Sequence, residues 1–217
     1  MPQYFPPVAN ALAKWTVIGG LIFTILLITT LTVFARTTNN RVRVPVAQPI
    51  GFQHSLHAGE LGLDCRYCHT SVEVSATASV PSTETCMTCH SQIRVGAPAL
   101  QPVVASWEGE IPIRWNRVHD LADFVFFNHS AHINNGVGCS SCHGRVDEMD
   151  GIWKAKPMTM GWCLDCHRNP ERFVRPRSEV FNMAYEPPAN QRELGTELVE
   201  VYHIDTDKLP QCSTCHR

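Results

Sequence analysis

The sequence predicts one N-terminal transmembrane helix followed by a head of short helices and loops with little or no β-sheet, packed around bound cofactors. Three observations predict it. A run from Trp15 to Ala35 contains no charged residue. All ten cysteines fall into five Cys-x-x-Cys pairs, each followed at once by histidine. Between those pairs neither helical nor strand periodicity is sustained, and prolines and glycines recur, so long regular elements have little to grow on.

The apolar run, "WTVIGGLIFTILLITTLTVFA", is 21 residues long, enough to cross a hydrocarbon core of roughly 30 Å as a helix. It exceeds the apolar core of a signal peptide, about 7–15 residues. Although "VFA" resembles a cleavage site, a permanent single-pass anchor in the lipid bilayer is expected over residues 14–36. Lys14 precedes the run and Arg36, Arg41 and Arg43 follow it, so flanking charge does not set the orientation cleanly.

The five cysteine sites read "CRYCH" (Cys65, Cys68, His69), "CMTCH" (Cys86, Cys89, His90), "CSSCH" (Cys139, Cys142, His143), "CLDCH" (Cys163, Cys166, His167) and "CSTCH" (Cys212, Cys215, His216). Two thiols three residues apart lie on one side of a helical turn, where both can form thioethers to one porphyrin. The histidine that follows swings under the ring and offers its imidazole to the iron. Zinc ribbons do not need histidine at a fixed next position. A thioredoxin-like pair is usually single, and five identical short loops would strain as disulfides. The pattern is that of a multihaem cytochrome c with five covalently attached c-type haems. Covalent haem attachment takes place outside the cytoplasm, so the expected location is the inner (cytoplasmic) membrane with the haem region on the periplasmic side. The net charge of −2 shows no basic excess and argues against nucleic acid as a partner. About 180 residues after the anchor leave few per cofactor, so the porphyrins must supply much of the apolar core.

"FQHSLHAGELGLDCRYCHT" and "FNHSAHINNGVGCSSCHG" are one module used twice: Phe-x-His-x-x-His, a spacer, then Cys-x-x-Cys-His. A second Cys-x-x-Cys-His follows in each half, 21 residues on from Cys65 to Cys86 and 24 from Cys139 to Cys163. Of eleven histidines, the five proximal ones leave His54, His57, His119, His129, His132 and His203. The duplicated pairs His54/His57 and His129/His132 are expected as sixth ligands, each pair sharing a helical face yet reaching different irons. The fifth iron then needs another ligand. A methionine thioether is the usual alternative, with Met160 or Met149 favoured over the farther Met183 and Met87. His119 is the other ligand candidate, or a hydrogen-bond partner of a haem propionate, and His203 stands outside any repeat.

The chain therefore divides into an N-terminal cytoplasmic tail (1–13), the transmembrane helix (14–36), an extended stalk (37–50) and haem pair one (51–95). A connection (96–126), haem pair two (127–170), and a second connection with the fifth site (171–217) complete it. "FQHSLH" and "FNHSAH" ahead of Cys-x-x-Cys-His resemble the class III, cytochrome c3 and c7 type. "IRWNRVHDLADFVFFNHSAHINNGVGCSSCHGRVDEM", "MTMGWCLDCHRNPERFVRP" and the terminal "CSTCHR" resemble the pentahaem subunit of alternative complex III, a membrane quinol:electron-acceptor oxidoreductase. That resemblance implies a relay subunit with no catalysis of its own. Its partners would be a polytopic NrfD-like quinol-binding subunit and an iron–sulfur subunit, with a monohaem cytochrome c or terminal oxidase as acceptor. It also implies one His/Met haem beside bis-histidine ones. The runner-up is a stand-alone anchored quinol dehydrogenase of the NapC/NrfH kind, whose Cys-x-x-Cys-His-x-Met motif is absent here. A terminal reductase with an open iron position is a third reading, against which the supply of histidine and methionine argues.

Overall fold

The computed structural model describes residues 4–216. Residues 1–3 of the expected cytoplasmic tail, Arg217, and the side chains of residues 36–40, Arg36 among them, lie outside the described residues. The chain forms two units, Met1–Arg41 and Val42–Arg217.

The first unit is a single helix, α1 (Pro7–Asn40), which starts ahead of the apolar run and outlasts it. Pro7 at its first position has the fixed φ a helix start needs and no N–H to leave unpaired. Arg41 closes it in the left-handed conformation at φ 32°. The stretch Pro7–Ala35 has the length and apolarity of a membrane span. Thr16, Thr24 and Thr29 turn their hydroxyls back onto the carbonyls of Leu12, Gly20 and Ile25, and Thr32 does the same to Ile28. This back-bonding satisfies those four hydroxyls within an apolar solvent. The helix is a candidate membrane anchor.

In the second unit the expected stalk is extended, but it is not free. Val42 pairs with Lys154 as a parallel bridge, and the Val46 N–H donates to the Ile152 carbonyl. A π-helical turn, Ser55–Glu60, carries the first histidine module. The attachment helices α2 (Cys65–Cys68) and α3 (Thr83–His90) follow. Next come α4 (Gln101–Glu108), the module helix α5 (His129–Asn134), and the attachment helices α6 (Cys139–His143) and α7 (Met160–Arg168). Last are α8 (Gln191–Val201) and α9 (Cys212–Cys215). Isolated bridges occur, but no sheet forms among the described residues.

Two helices occur away from the cysteine motifs, where loops are expected. Pro102 sits in the first turn of α4 and Val103 is its buried contact, so the Pro-rich composition of the first connection starts a helix as well as breaking the chain. Helix α8, "QRELGTELVEV", presents an apolar stripe and packs on the short 3₁₀ turn Pro170–Arg172. That packing is unusually close: a Cβ on Gly195 would collide with the Glu171 carbonyl oxygen.

The protein's own core is small. Its buried apolar side chains among the described residues are Ile50, Val72, Val103, Ile133, Met149, Val174 and Val180. The accessible surface of 15120 Å² exceeds the roughly 10,000 Å² expected of a compact monomer of this mass. The exposed apolar side chains along α1, from Val8 to Phe34, contribute to that excess.

The Gly195–Glu171 approach sets an expected outcome. Gly195→Ala should lower stability by about 1–3 kcal/mol through overpacking, read as a reduced melting temperature. Gly161→Ala, with open space around its Cα, should leave the melting temperature nearly unchanged.

Candidate cofactor-binding sites

Each cysteine pair occupies one helical turn, which places both thiols on one side of it. Local sequence fixes where these turns begin. The Asp64 carboxylate caps α2 by accepting from the Arg66 N–H, and the Thr159 hydroxyl caps α7 by accepting from the Trp162 N–H. The sites are numbered one to five in chain order. None of the ten cysteines is joined in a disulfide.

The two histidine modules repeat each other in detail. Phe52 stands edge-on to His54 with centroids 4.8 Å apart and stacks on His57 at 4.4 Å and 26°. Phe127 stands edge-on to His129 at 4.7 Å and stacks on His132 at 4.6 Å and 25°. The phenylalanine is therefore a wedge in contact with both imidazoles, edge-on to one and stacked on the other. The Nδ1–H of His57 donates to the Gln53 carbonyl at 2.8 Å, and that of His132 to Asn128 at 2.7 Å. Both Nε2 atoms are thereby left free.

Three of the distal rings lie close to proximal histidines. Ring centroids are 6.3 Å apart for His57 and His90, 6.4 Å for His129 and His143, and 6.1 Å for His132 and His167. Two metal–imidazole bonds of about 2 Å in line, plus the distance from each nitrogen to its own ring centre, give centroids roughly 6 Å apart. The residues thus fit one iron between each pair. His54 lies near His69, the remaining proximal histidine of the first half. Burial, with His69 and His57 nearby, lowers the His54 pKa to about 4. Burial also lowers His143 to about 3, with His119, His129, His69 and His54 adding to it, and lowers His132. All three are held neutral, the state that can ligate a metal.

The halves embrace reciprocally. The Ser55 N–H of module one donates to the Met149 carbonyl, six residues past His143. Its counterpart in module two, the Ser130 N–H, donates to the Ser75 carbonyl, six residues past His69. Each module therefore rests on the loop that follows the other half's first site. That places site one beside site three, and Val72, Ile133 and Val180 with Cys139 form the common core between them. The Tyr67 and Thr88 hydroxyls meet at 2.7 Å and join site one to site two. His167 donates from Nδ1 to the Leu209 carbonyl at 3.0 Å, tying site four to the segment before site five.

The thiols report the same order. Burial pushes Cys142 up to about 12, with Cys166 and Cys163 adding. It pushes Cys139 up to about 11, with Cys65 adding. Burial raises Cys68, to which Cys86 contributes, and Cys163, to which Cys215 contributes. The spatial sequence of sites is two, one, three, four, five. Exposed cysteines occur only at its two ends, Cys89 and Cys212.

The other expected ligands fall in different places. Met149 is buried and lines a cavity of about 350 Å³ beside site three, with Arg43, Arg145, Trp153 and Lys156. Met160 is 65% exposed at the start of the site-four helix, three residues ahead of Cys163, the thiol next to Cys215. His203 is exposed in a left-handed turn at φ 55° after α8. His119 lies against His143 with centroids 4.4 Å apart, too close for a metal between the rings. At site five, the Phe124 ring lies 5.7 Å from that of His216, whose Nδ1–H donates to the Phe124 carbonyl at 3.2 Å.

Sequence reasoning missed Arg175, a buried guanidinium 5% exposed. It donates to Ser140 Oγ at 3.3 Å and Ser141 Oγ at 3.1 Å within "CSSCH", and lies over the Tyr185 ring at 4.4 Å. Gly138 leaves room for it, since a Cβ there would strike the guanidinium. No motif marks this arginine. The two serines inside site three were the available hint.

Comparison with known proteins finds multihaem cytochromes c. Residues 125–217 match the family described as cytochrome c7 and related cytochrome c, and residues 31–104 match the class III cytochrome c family. The chain is 35% identical over 143 residues to the menaquinone reductase multiheme cytochrome c subunit of Nitratidesulfovibrio vulgaris (strain Hildenborough), covering 56% of this chain and 68% of that protein.

The wedge predicts a shared loss. Phe127→Leu removes two ring contacts worth about 0.5–1.5 kcal/mol each and frees both imidazoles. It should lower the melting temperature and alter two low-spin iron signals together by electron paramagnetic resonance. A change confined to a single signal would contradict the wedge.

Proposed function

The chain belongs to the multihaem cytochrome c family that includes the menaquinone reductase subunit, and from that membership we propose that it is the pentahaem electron-relay subunit of a quinol-linked membrane complex of the alternative complex III type. The observation that carries the proposal is the unbroken run of five sites with exposed cysteines at its ends. That arrangement suits entry at one end and exit at the other. A c-type haem held at each site would supply one-electron exchange at its iron.

The chain's residues divide the work. Cys65 and Cys68, Cys86 and Cys89, Cys139 and Cys142, Cys163 and Cys166, and Cys212 and Cys215 attach the five groups. His69, His90, His143, His167 and His216 are the proximal ligands. His54, His57, His129 and His132 close sites one, two, three and four in that order, supported by the spacings above. For site five Met160 is favoured over Met149, because Met149 is enclosed beside site three while Met160 stands exposed on the helix whose Cys163 neighbours Cys215. The helix α1 anchors the chain in the inner membrane, with Val42–Arg217 on the periplasmic side where haem is attached. The partners are an NrfD-like quinol-binding subunit, an iron–sulfur subunit, and a monohaem cytochrome c or terminal oxidase as acceptor. Catalysis at the quinol belongs to the complex.

The relative's name favours a second reading of direction, in which the assembly reduces a quinone instead of oxidising a quinol. Purification in mild detergent tests both. Five haems by mass and a co-purifying polytopic subunit with an iron–sulfur protein are expected, and reduction of the haem bands on adding quinol identifies the oxidative direction. Reoxidation by quinone with no reduction by quinol selects the reverse. A cytochrome that purifies alone and is reduced by quinol would replace the subunit reading with an autonomous dehydrogenase. The ligand assignment has its own test. Met160→Leu should abolish the methionine-ligated spectral component, whereas Met149→Leu should retain it at a cost of at most about 1.5 kcal/mol in packing.

A further inference from the structure

The proximal histidines share one design with a single departure. His69 donates from Nδ1 to the Ser79 carbonyl at 2.7 Å, His90 to Ile93 at 3.2 Å, His167 to Leu209 at 3.0 Å and His216 to Phe124 at 3.2 Å. These acceptors are backbone atoms, which no substitution removes. His143 alone has a side-chain partner, His119 Nε2 at 3.3 Å, with the two rings at 77°. The internal duplication makes the departure plain. Ser79 stands ten residues past His69, and the equivalent position past His143 is Trp153. At site three the connection between the halves has delivered an imidazole in place of that backbone carbonyl.

His119 is held there by a clamp that touches neither ring. Gln48 Nε2 donates to the Asn116 carbonyl at 2.8 Å, and the Asn116 N–H donates back to Gln48 Oε1 at 2.9 Å. Asn116 Nδ2 also donates to the Ala47 carbonyl at 2.7 Å. On the far side, Val125 bridges to His216. The segment bearing His119 is therefore fixed at both ends within the same unit.

We infer that His119 is a positioning residue for site three, accepting the Nδ1–H of His143 and so setting both the orientation and the donor strength of that ligand. This rests on the reading of His143 as an iron ligand. If His143 binds metal through Nε2, its Nδ1 carries the proton, and His119 Nε2 can only accept. An imidazole nitrogen is a stronger base than an amide carbonyl, so it draws the shared proton further and makes His143 the more electron-rich donor. A more electron-rich ligand favours ferric iron, which places the site-three potential lower than a carbonyl acceptor would. The same contact uses up the His119 nitrogen that could otherwise have served as an axial ligand.

The test compares His119→Leu, which removes the acceptor, with His119→Gln, which keeps one, in the mature detergent-purified cytochrome. Redox titration followed by electron paramagnetic resonance reads each iron, and His129→Ala identifies the site-three signal. The leucine variant is expected to raise one potential out of five and to change the signal that His129→Ala also changes. The glutamine variant should stay close to the wild type. No shift in either variant, or equal shifts in both, would overturn the inference. If the leucine protein fails to mature, His119→Ala takes its place in the same comparison. If His129→Ala leaves every signal untouched, it is the ligand reading that fails, and the two failures are thereby separated.

Discussion

The proposed ligation requires two imidazoles to face each other across a gap wide enough for one metal ion, and much of the second unit holds histidine rings at such spacings. An imidazole ring turns freely about two bonds, so the spacing survives only if each ring is held from behind. Phe52 and Phe127 hold the distal rings by stacking on one and standing edge-on to the other. Backbone carbonyls hold most of the Nδ1 atoms. Aromatic contacts of this kind contribute about 0.5–1.5 kcal/mol each, and the hydrogen bonds about as much again. Both are spent on geometry, because the rings enclose no protein core of their own.

That economy explains the sparse interior. Seven buried apolar side chains among the described residues cannot offset the conformational entropy of Val42–Arg217, at about 1–2 kcal/mol per residue for the backbone alone. Bound haem would supply the balance, as metals and disulfides do in other small domains. The protein economises elsewhere by close backbone approach. Gly195 against Glu171 and Gly59 against Asp147 bring main chain to main chain with no side chain between. The reciprocal embrace adds to this, since each half lends a loop to the other's histidine module and neither half is complete alone.

The fold class was legible because its signals are chemical and local. Ten cysteines at fixed spacing with histidine at the next position leave few alternatives, and an uncharged run of 21 residues has few uses. The duplicated Phe-x-His-x-x-His could be read as two ligands, but not the purpose of its phenylalanine, which depends on ring angles. The spatial order of sites was not legible either. Chain order suggests one to five, whereas the exchange of loops between halves puts sites one and three together. Arg175 and α8 share this difficulty, since each owes its position to partners far along the chain. His119 was legible as an exceptional histidine but not in its role, and it falls between the two segments matched by family models.

The departures from internal symmetry are concentrated where the halves meet. His129 donates from Nδ1 to the Ala76 carbonyl, seven residues past His69. The duplication would give His54 the Asp150 carbonyl, seven residues past His143, yet His54 Nδ1 is buried with no partner among the described residues. Beside the junction, His143 has an imidazole partner where His69 has a backbone carbonyl. Sites two, four and five keep backbone acceptors behind their proximal ligands. A hydrogen bond to a ligand's far nitrogen changes its donor strength, so under the proposed ligation this exchange sets site three apart from site one. Under the proposed ligation, two copies of one module hold irons of different potential at the centre of the run without a change in the ligating residues.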